Sequence, residues 1–196
     1  MMKNLIFATN NDHKVAEIRS SLGSLFQVVS LKEAGINIDI EEPYDTLEEN
    51  AREKSSTIHR LTQQDCFSED TGLFVDALNG EPGVKSARYA GEPSNNKANI
   101  EKLLHNLDLH TNRTARFKTI ISLVMHEKEY LFEGICEGSI THKSIGSSGF
   151  GYDAIFIPAD SSKSFGEMSM EEKNQYSHRK KALVKLITFL REQGNI

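Results

Sequence analysis

The chain has 196 residues, 38% of them hydrophobic and 26% charged, with a formal net charge of −5. That length supports a sizeable core, as one large domain or two tightly joined lobes. The acidic balance argues against bulk nucleic-acid binding, which needs a basic field, yet leaves room for a small anionic ligand where a few cations are focused. The two cysteines, Cys66 and Cys136, have no metal-ligand spacing; they read as reduced thiols in a cytosolic protein, with a lone disulfide as the alternative. The opening stretch, Met1 to Ala8, is too short for a signal-peptide core, and no segment approaches a membrane-spanning length. A cytoplasmic location is the expectation.

No repeat, low-complexity tract or Pro/Gly/Ser linker interrupts the sequence, so residues 1–196 are expected to form a single domain. Leu5 to Ala8 reads as a buried strand, followed by a polar turn, Thr9 to Lys14, and by Val15, Ile18 and Leu22 at helical spacing. Phe26 to Leu31 predicts a second strand, and the alternating Ile36, Ile38 and Ile40 a third, half-buried one. Thr46 and Glu49 form a possible capping box for a helix with Leu47, Ala51, Ile58 and Leu61 on one face. Ile100, Leu103, Leu104 and Leu107 give the clearest helical stripe. Ala115 to Met125 and Glu129 to Thr141 predict a hairpin around His126-Glu127-Lys128. Ser169 with Glu172 can cap a short helix, and Ser177 a longer one bearing Leu183, Leu186, Ile187 and Leu190. Strands mixed with helices, one long hairpin among them, predict an α/β protein with a mixed sheet.

Four segments carry residues suited to chemistry. In Ser68-Glu69-Asp70-Thr71-Gly72-Leu73, two carboxylates at a strand exit suit a magnesium ion and an activated water, although a lone acidic pair more often marks a solvated turn. Thr9-Asn10-Asn11-Asp12-His13-Lys14 lies between strand and helix, where backbone N–H groups, the positive helix end and Lys14 can meet an anion. A plain helix start capped by Asp12 reads the same way. Glu41-Glu42-Pro43 follows the Ile36–Ile40 stretch and can share a hard cation with Glu69 and Asp70, or form a solvated acidic turn.

Glycines on both sides of Phe150 in Ser148-Gly149-Phe150-Gly151-Tyr152-Asp153 leave its ring face clear for a planar base, with Asp153 as an acceptor. A tight turn with an aromatic plug is the alternative. Lys173 and Ser177-His178-Arg179 add cations, the last two at a helix start where the dipole disfavours them unless an external anion or carbonyl-rich ligand is present.

Together these segments resemble the inosine triphosphate pyrophosphatase family over nearly the whole chain. Thr9-Asn10-Asn11 through Lys14 resembles the family's T-G-N-x-x-K, and Glu69-Asp70-Thr71-Gly72-Leu73 its D-D-S-G-L. Gly149-Phe150-Gly151-Tyr152-Asp153 and Ser177-His178-Arg179 match its patterns directly. Three positions depart: Asn10 for a glycine, Glu69 for an aspartate, and Ala154 where proline is common. A residue tolerant of left-handed angles can stand in at Asn10.

The resemblance implies an elongated α/β fold: a long twisted mixed sheet flanked by helices, two lobes, and an active site in the cleft between them. It also implies a homodimer, a magnesium cofactor, and cleavage of ITP, dITP and XTP to monophosphate and pyrophosphate. Asp70 is then the proton acceptor for water and a metal ligand, with Glu41 the second ligand and Glu42 and Glu69 in support. Thr9, Asn10, Asn11, Asp12, His13, Lys14 and Thr71 fall to the phosphates and sugar, with Lys14 supporting charge in catalysis. Phe150, Gly151, Tyr152, Asp153, Lys173, His178 and Arg179 fall to the base. A pyrophosphatase for other modified or pyrimidine nucleotides and a nucleotide-sensing module without turnover are the competing readings. No nucleic-acid or membrane partner is expected.

Overall fold

The computed structural model describes residues 4–22 and 27–194. In chain order they form β1 (Asn4–Phe7), α1 (Asp12–Leu22), β2 (Gln27–Ser30), α2 (Leu47–Thr62), β3 (Cys66–Val75) and β4 (Pro82–Gly83). There follow α3 (Asn96–Asn106), β5 (Thr114–Met125), β6 (Lys128–Ile140), β7 (Phe156–Pro158), α4 (Met170–Tyr176) and α5 (His178–Glu192). Among the described residues the strands build one seven-stranded sheet in the order β2-β1-β3-β5-β6-β7, with β4 on β3. β1 runs parallel to both β2 and β3, whereas β4 and β7 are antiparallel to β3 and β6. The fold is α/β with a mixed sheet and flanking helices. No described helix is long and apolar enough to cross a membrane.

The chain divides into two compact units. The first takes the described parts of Met1–Asp70, Thr119–Gly134 and Arg179–Ile196. Its parallel strands are packed on both faces, which is why β1 reads as a continuous apolar run. Leu5, Phe7 and Phe67 lie on the face that also holds Val15 and Ile18 of α1 and Leu183, Leu186 and Leu190 of α5. Phe7 and Phe67 are register partners, and their rings stack at 4.5 Å. Ile6, Ala8 and Cys66 lie on the other face, with Ile58 of α2.

The second unit comprises Thr71–Lys118 and Ile135–His178. Its core joins Leu103 and Leu107 of the α3 stripe to Phe117, Phe156 and Phe165. The β5–β6 hairpin forms as expected. His126 (φ 50°) and Glu127 (φ 62°) take the left-handed angles that a two-residue turn between right-twisted strands requires.

Other expectations are corrected. Ile36 to Ile40 is not a strand. Its isoleucines alternate half-buried with exposed residues and pack on the α2-side cluster, so the pattern reports contact with a core rather than a hydrogen-bonded ladder. Leu61 is 58% exposed, since the buried stripe of α2 ends at Ile58. Thr46 caps α2, and Ser169 with Glu172 forms the expected capping box of α4. The side chain of Leu22, and Phe26 altogether, lie outside the described residues.

Candidate active site

Alternation along β3 sends neighbouring side chains to opposite faces of the sheet. Cys66, Ser68 and Asp70 face α2: Cys66 Sγ and Ser68 Oγ donate to the carbonyls of Ser55 and Ala51, and Lys54 Nζ lies 3.3 Å from Asp70 Oδ1. Burial, with the Asp65 charge, pushes the Cys66 thiol up to about 12, so it is an inert core group. Both cysteines are free and buried.

Phe67 and Glu69 face α1 and α5 instead. Glu69 accepts from Arg179 Nε at 2.6 Å and Nη2 at 2.8 Å, and lies 3.1 Å from Lys14 Nζ. Arg179 Nη1 is paired with Glu17. The sequence grouped Arg179 with the base-holding residues, but the structure pairs it with these two carboxylates of the first unit. Consecutive helical residues point about 100° apart, so Arg179 need not share the surroundings of His178.

The two β3 carboxylates are driven in opposite directions. Burial penalises the charge on Glu69, but the adjacent Arg179 and Lys14 more than offset it and hold the carboxyl well below its ordinary range. For Asp70, burial raises the pKa, Lys54 and Lys14 lower it in part, Glu42 adds to the rise, and the net shift is upward. Lys54 is also buried, yet the charges of Asp70 and Glu42 raise its pKa and keep it an ammonium. The pair is lopsided because burial weighs on Asp70 more than Lys54 and Lys14 offset, and Lys54 is shared with Glu42.

Lys54 was missed from sequence, as was Glu17. Lys54 carried a signal, a charged residue at a position where the helical pattern calls for an apolar one; Glu17 lies off the Val15, Ile18 and Leu22 stripe and carried none. Leu47, Asn50, Ala51, Lys54, Ser55 and Ile58 form one buried stripe along α2.

The phosphate-side turn is built by its own side chains. Asn11 N donates to Thr9 Oγ1 at 3.2 Å, and Lys14 N donates to Asn11 Oδ1 at 3.1 Å. Asn11, not Asp12, therefore takes the capping role, since Lys14 is the third residue of the helix. Asn10 is not left-handed; it stabilises the loop by donating from Nδ2 to Ile38 O at 3.0 Å. Asp12 and His13 are exposed on the first turn.

A magnesium ion fits here only as a guest that brings other ligands. Among the described residues no three His, Cys, Asp or Glu side chains cluster as a ready metal cage. Asp70 and Glu42 do converge, because both contact Lys54 Nζ. Magnesium keeps several waters and takes one or two carboxylates plus phosphate oxygens, which suits such a pair. Glu41, expected as the second ligand, is exposed; the carboxylate joined to Asp70 through Lys54 is its neighbour Glu42.

In the second unit, Asp153 is 3% exposed and its Oδ2 accepts from Phe150 N at 2.9 Å and Lys173 Nζ at 2.6 Å. The same ammonium sits 5.3 Å from the centroids of both Phe150 and Phe165. His178 stacks on Phe117 at 4.6 Å. Tyr152 is buried and its hydroxyl donates to Ser86 O at 2.8 Å, so it braces the loop. Phe150 and Gly151 are half-buried. Of the expected base-side residues, Phe150, Asp153 and Lys173 are thus in direct contact. Thr71 is half-buried on β3, next to Asp70.

The sequence profile of the Ham1 family matches residues 5–189. A dITP/XTP pyrophosphatase from Flavobacterium johnsoniae is 48% identical over 186 residues, 95% of this chain and 97% of that protein. Another from Porphyromonas gingivalis is 48% identical over 190 residues, 96% of this chain and 98% of its own length. The structure is similar to that of the Staphylococcus aureus Ham1 protein, with a TM-score of 0.88 at 38% identity over 97% of this chain and 100% of that one. On a match that spans both units and every motif described above, the chain belongs to the Ham1 family.

Proposed function

We propose that this protein hydrolyses dITP, ITP and XTP to the nucleoside monophosphate and pyrophosphate, clearing non-standard purine nucleotides from the pool. The relatives described above carry the name dITP/XTP pyrophosphatase, over almost their full length. The observation that carries the chemistry is Asp70, a buried carboxylate with a raised pKa beside a buried ammonium.

In this reading Asp70 takes a proton from the attacking water. The water oxygen bonds to the α-phosphorus, the bridge to the β-phosphate breaks, and pyrophosphate leaves with its electron pair. Lys14 and Lys54 stabilise the charge that develops on the phosphate oxygens, and the N-terminal turn of α1 orients them. Glu42 and Asp70 would hold magnesium together with phosphate oxygens, where the ion neutralises phosphate charge when bound.

Base recognition falls to Phe150, Lys173 and His178. Phe150 offers its ring face, and the N–H groups of Lys173 and His178 suit a 6-oxo acceptor, whereas the 6-amino group of adenine sets donor against donor at about 1–3 kcal/mol per unsatisfied group. The reading extends to a homodimer in the cytoplasm, the dimer being measurable by light scattering.

Pyrophosphate release from dITP, ITP, XTP, ATP and GTP, with and without magnesium, tests the proposal. The oxo-purine substrates should be cleaved far faster, and only with the metal. Equal rates for all five would remove the base assignment, and no release at all would leave a sensing module.

A further inference from the structure

We propose that Glu17 is a positioning residue for Lys14, acting through Arg179 and Glu69; the inference rests on the hydrolytic reading above. Glu17 follows Lys14 by three positions on α1, so the two side chains project from the same helix face. Glu17 is 3% exposed, a burial that a carboxylate sustains only with charged or hydrogen-bonding partners. Its partner is Arg179 Nη1.

The remaining edge of that guanidinium, Nε and Nη2, clamps both oxygens of Glu69. Such a two-point grip fixes the plane of the carboxylate as well as its position. Glu69 Oε1, which accepts from Arg179 Nη2, is also the atom 3.1 Å from Lys14 Nζ. The chain of contacts thus leaves α1 at Glu17, crosses α5 and β3, and returns to α1 at Lys14.

Every link is ionic, and the two ends share one rigid helix. Glu17 holds the third guanidinium nitrogen, so it decides how Arg179 is turned against Glu69 and where Oε1 sets the Lys14 ammonium. A glutamate at position 69 has one more rotatable bond than the aspartate expected from the motif. A clamp on its carboxylate therefore matters more in this chain.

The test is a double-mutant cycle on the full chain, read as pyrophosphate release from dITP with magnesium. Glu17→Gln should lower kcat/KM about 10-fold, within the roughly 10²-fold that a misplacement of about 1 Å can cost. The preference for dITP over dATP should not change. In a Lys14→Gln background, Glu17→Gln should cause no further loss, because its effect passes through the missing ammonium. Glu17→Asp, which keeps the charge, should recover part of the turnover.

Wild-type turnover in Glu17→Gln, losses that multiply with Lys14→Gln, or a changed base preference would each overturn the inference. If circular dichroism shows Glu17→Gln unfolded, Glu17→Asp carries the same cycle with the same criteria. A wild-type protein that releases no pyrophosphate from dITP overturns the functional reading, and this inference with it.

Discussion

Glu69 and Asp70 are separated by one peptide bond and live in different chemical worlds. Glu69, on the α1 and α5 side of β3, is matched by an arginine and a lysine and is held as a carboxylate. Asp70, on the α2 side, shares one ammonium with Glu42, and its charge is disfavoured. When environments push two neighbouring carboxyl groups apart in acidity, the roles divide: one is structural, the other is kept basic enough to take a proton. A strand achieves this division at adjacent positions, whereas adjacent helical residues diverge by only about 100°.

Substitution at each position should break the comparison in a different observable. Asp70→Asn should leave nucleotide binding in place and lower turnover by at least about 100-fold, the low end of general-base contributions. Near-normal turnover would remove Asp70 from its role. Because its folded pKa is raised, the folded state binds more protons than the unfolded one as pH climbs through that window, and stability falls. A neutral asparagine abolishes that penalty, so thermal melting without metal should show Asp70→Asn as stable as wild type or more so.

Glu69→Gln should do the opposite. It leaves the buried Arg179 without its two-point partner, a change of about 3–5 kcal/mol for a broken buried pair. Urea titration of the two variants decides the matter; similar destabilisation in both would erase the contrast between the faces.

A second contrast lies within the Phe150 loop of the other unit. Gly149 has φ +76°, and a Cβ there would collide with Asp153 Oδ2. Gly151 has φ +60°, and a Cβ there would have nothing within 4 Å, so alanine meets strain alone. Gly151→Ala should cost about 1–2 kcal/mol, the left-handed penalty of an L-residue. Gly149→Ala should cost more and also displace Asp153 from Phe150 N and Lys173, weakening selection of dITP over dATP. Equal effects of the two substitutions on that ratio would show that the Asp153 staple does not shape base recognition.

Local rules explain what the sequence revealed of this architecture. The helix caps at Thr46 and Ser169, the stripe through Leu103 and Leu107, and the β5–β6 hairpin all depend on neighbours within a few positions. Ile36 to Ile40 misled because alternation is set by contact with a core, while a strand also needs a partner ladder that sequence does not display. The site divides in the same way. Lys14, Asp70 and Lys173 stand out as charges in motifs, but Lys54 and Glu17 matter through partners 16 and 162 positions away. Arg179 is grouped with the base side in the sequence for that reason: its neighbour His178 is visible there, and its partners Glu17 and Glu69 are not.

The smallest effect concerns a third carboxylate, Glu33, which sharpens the contrast with Glu69. Its pKa is lowered from the ordinary 4.5 to about 2, by hydrogen bonds from Arg19 and Ser30 N and despite some desolvation. The direction matches that of Glu69, but the Glu33 side chain is 48% exposed and its Arg19 partner 43%. A depressed carboxyl contributes stability that is present above its unfolded value and lost as pH falls through the folded one, here between about 4.5 and 2. Solvent and salt screen an exposed pair, so Glu33→Gln should cost only about 0–1 kcal/mol at neutral pH. Added salt should shrink that cost further, whereas the Glu69→Gln cost should hardly respond, because buried charges are screened far less. Urea titrations of both variants at low and high salt measure the difference, and an equal salt response would mean that the Glu69 side of β3 is wetter than its burial implies.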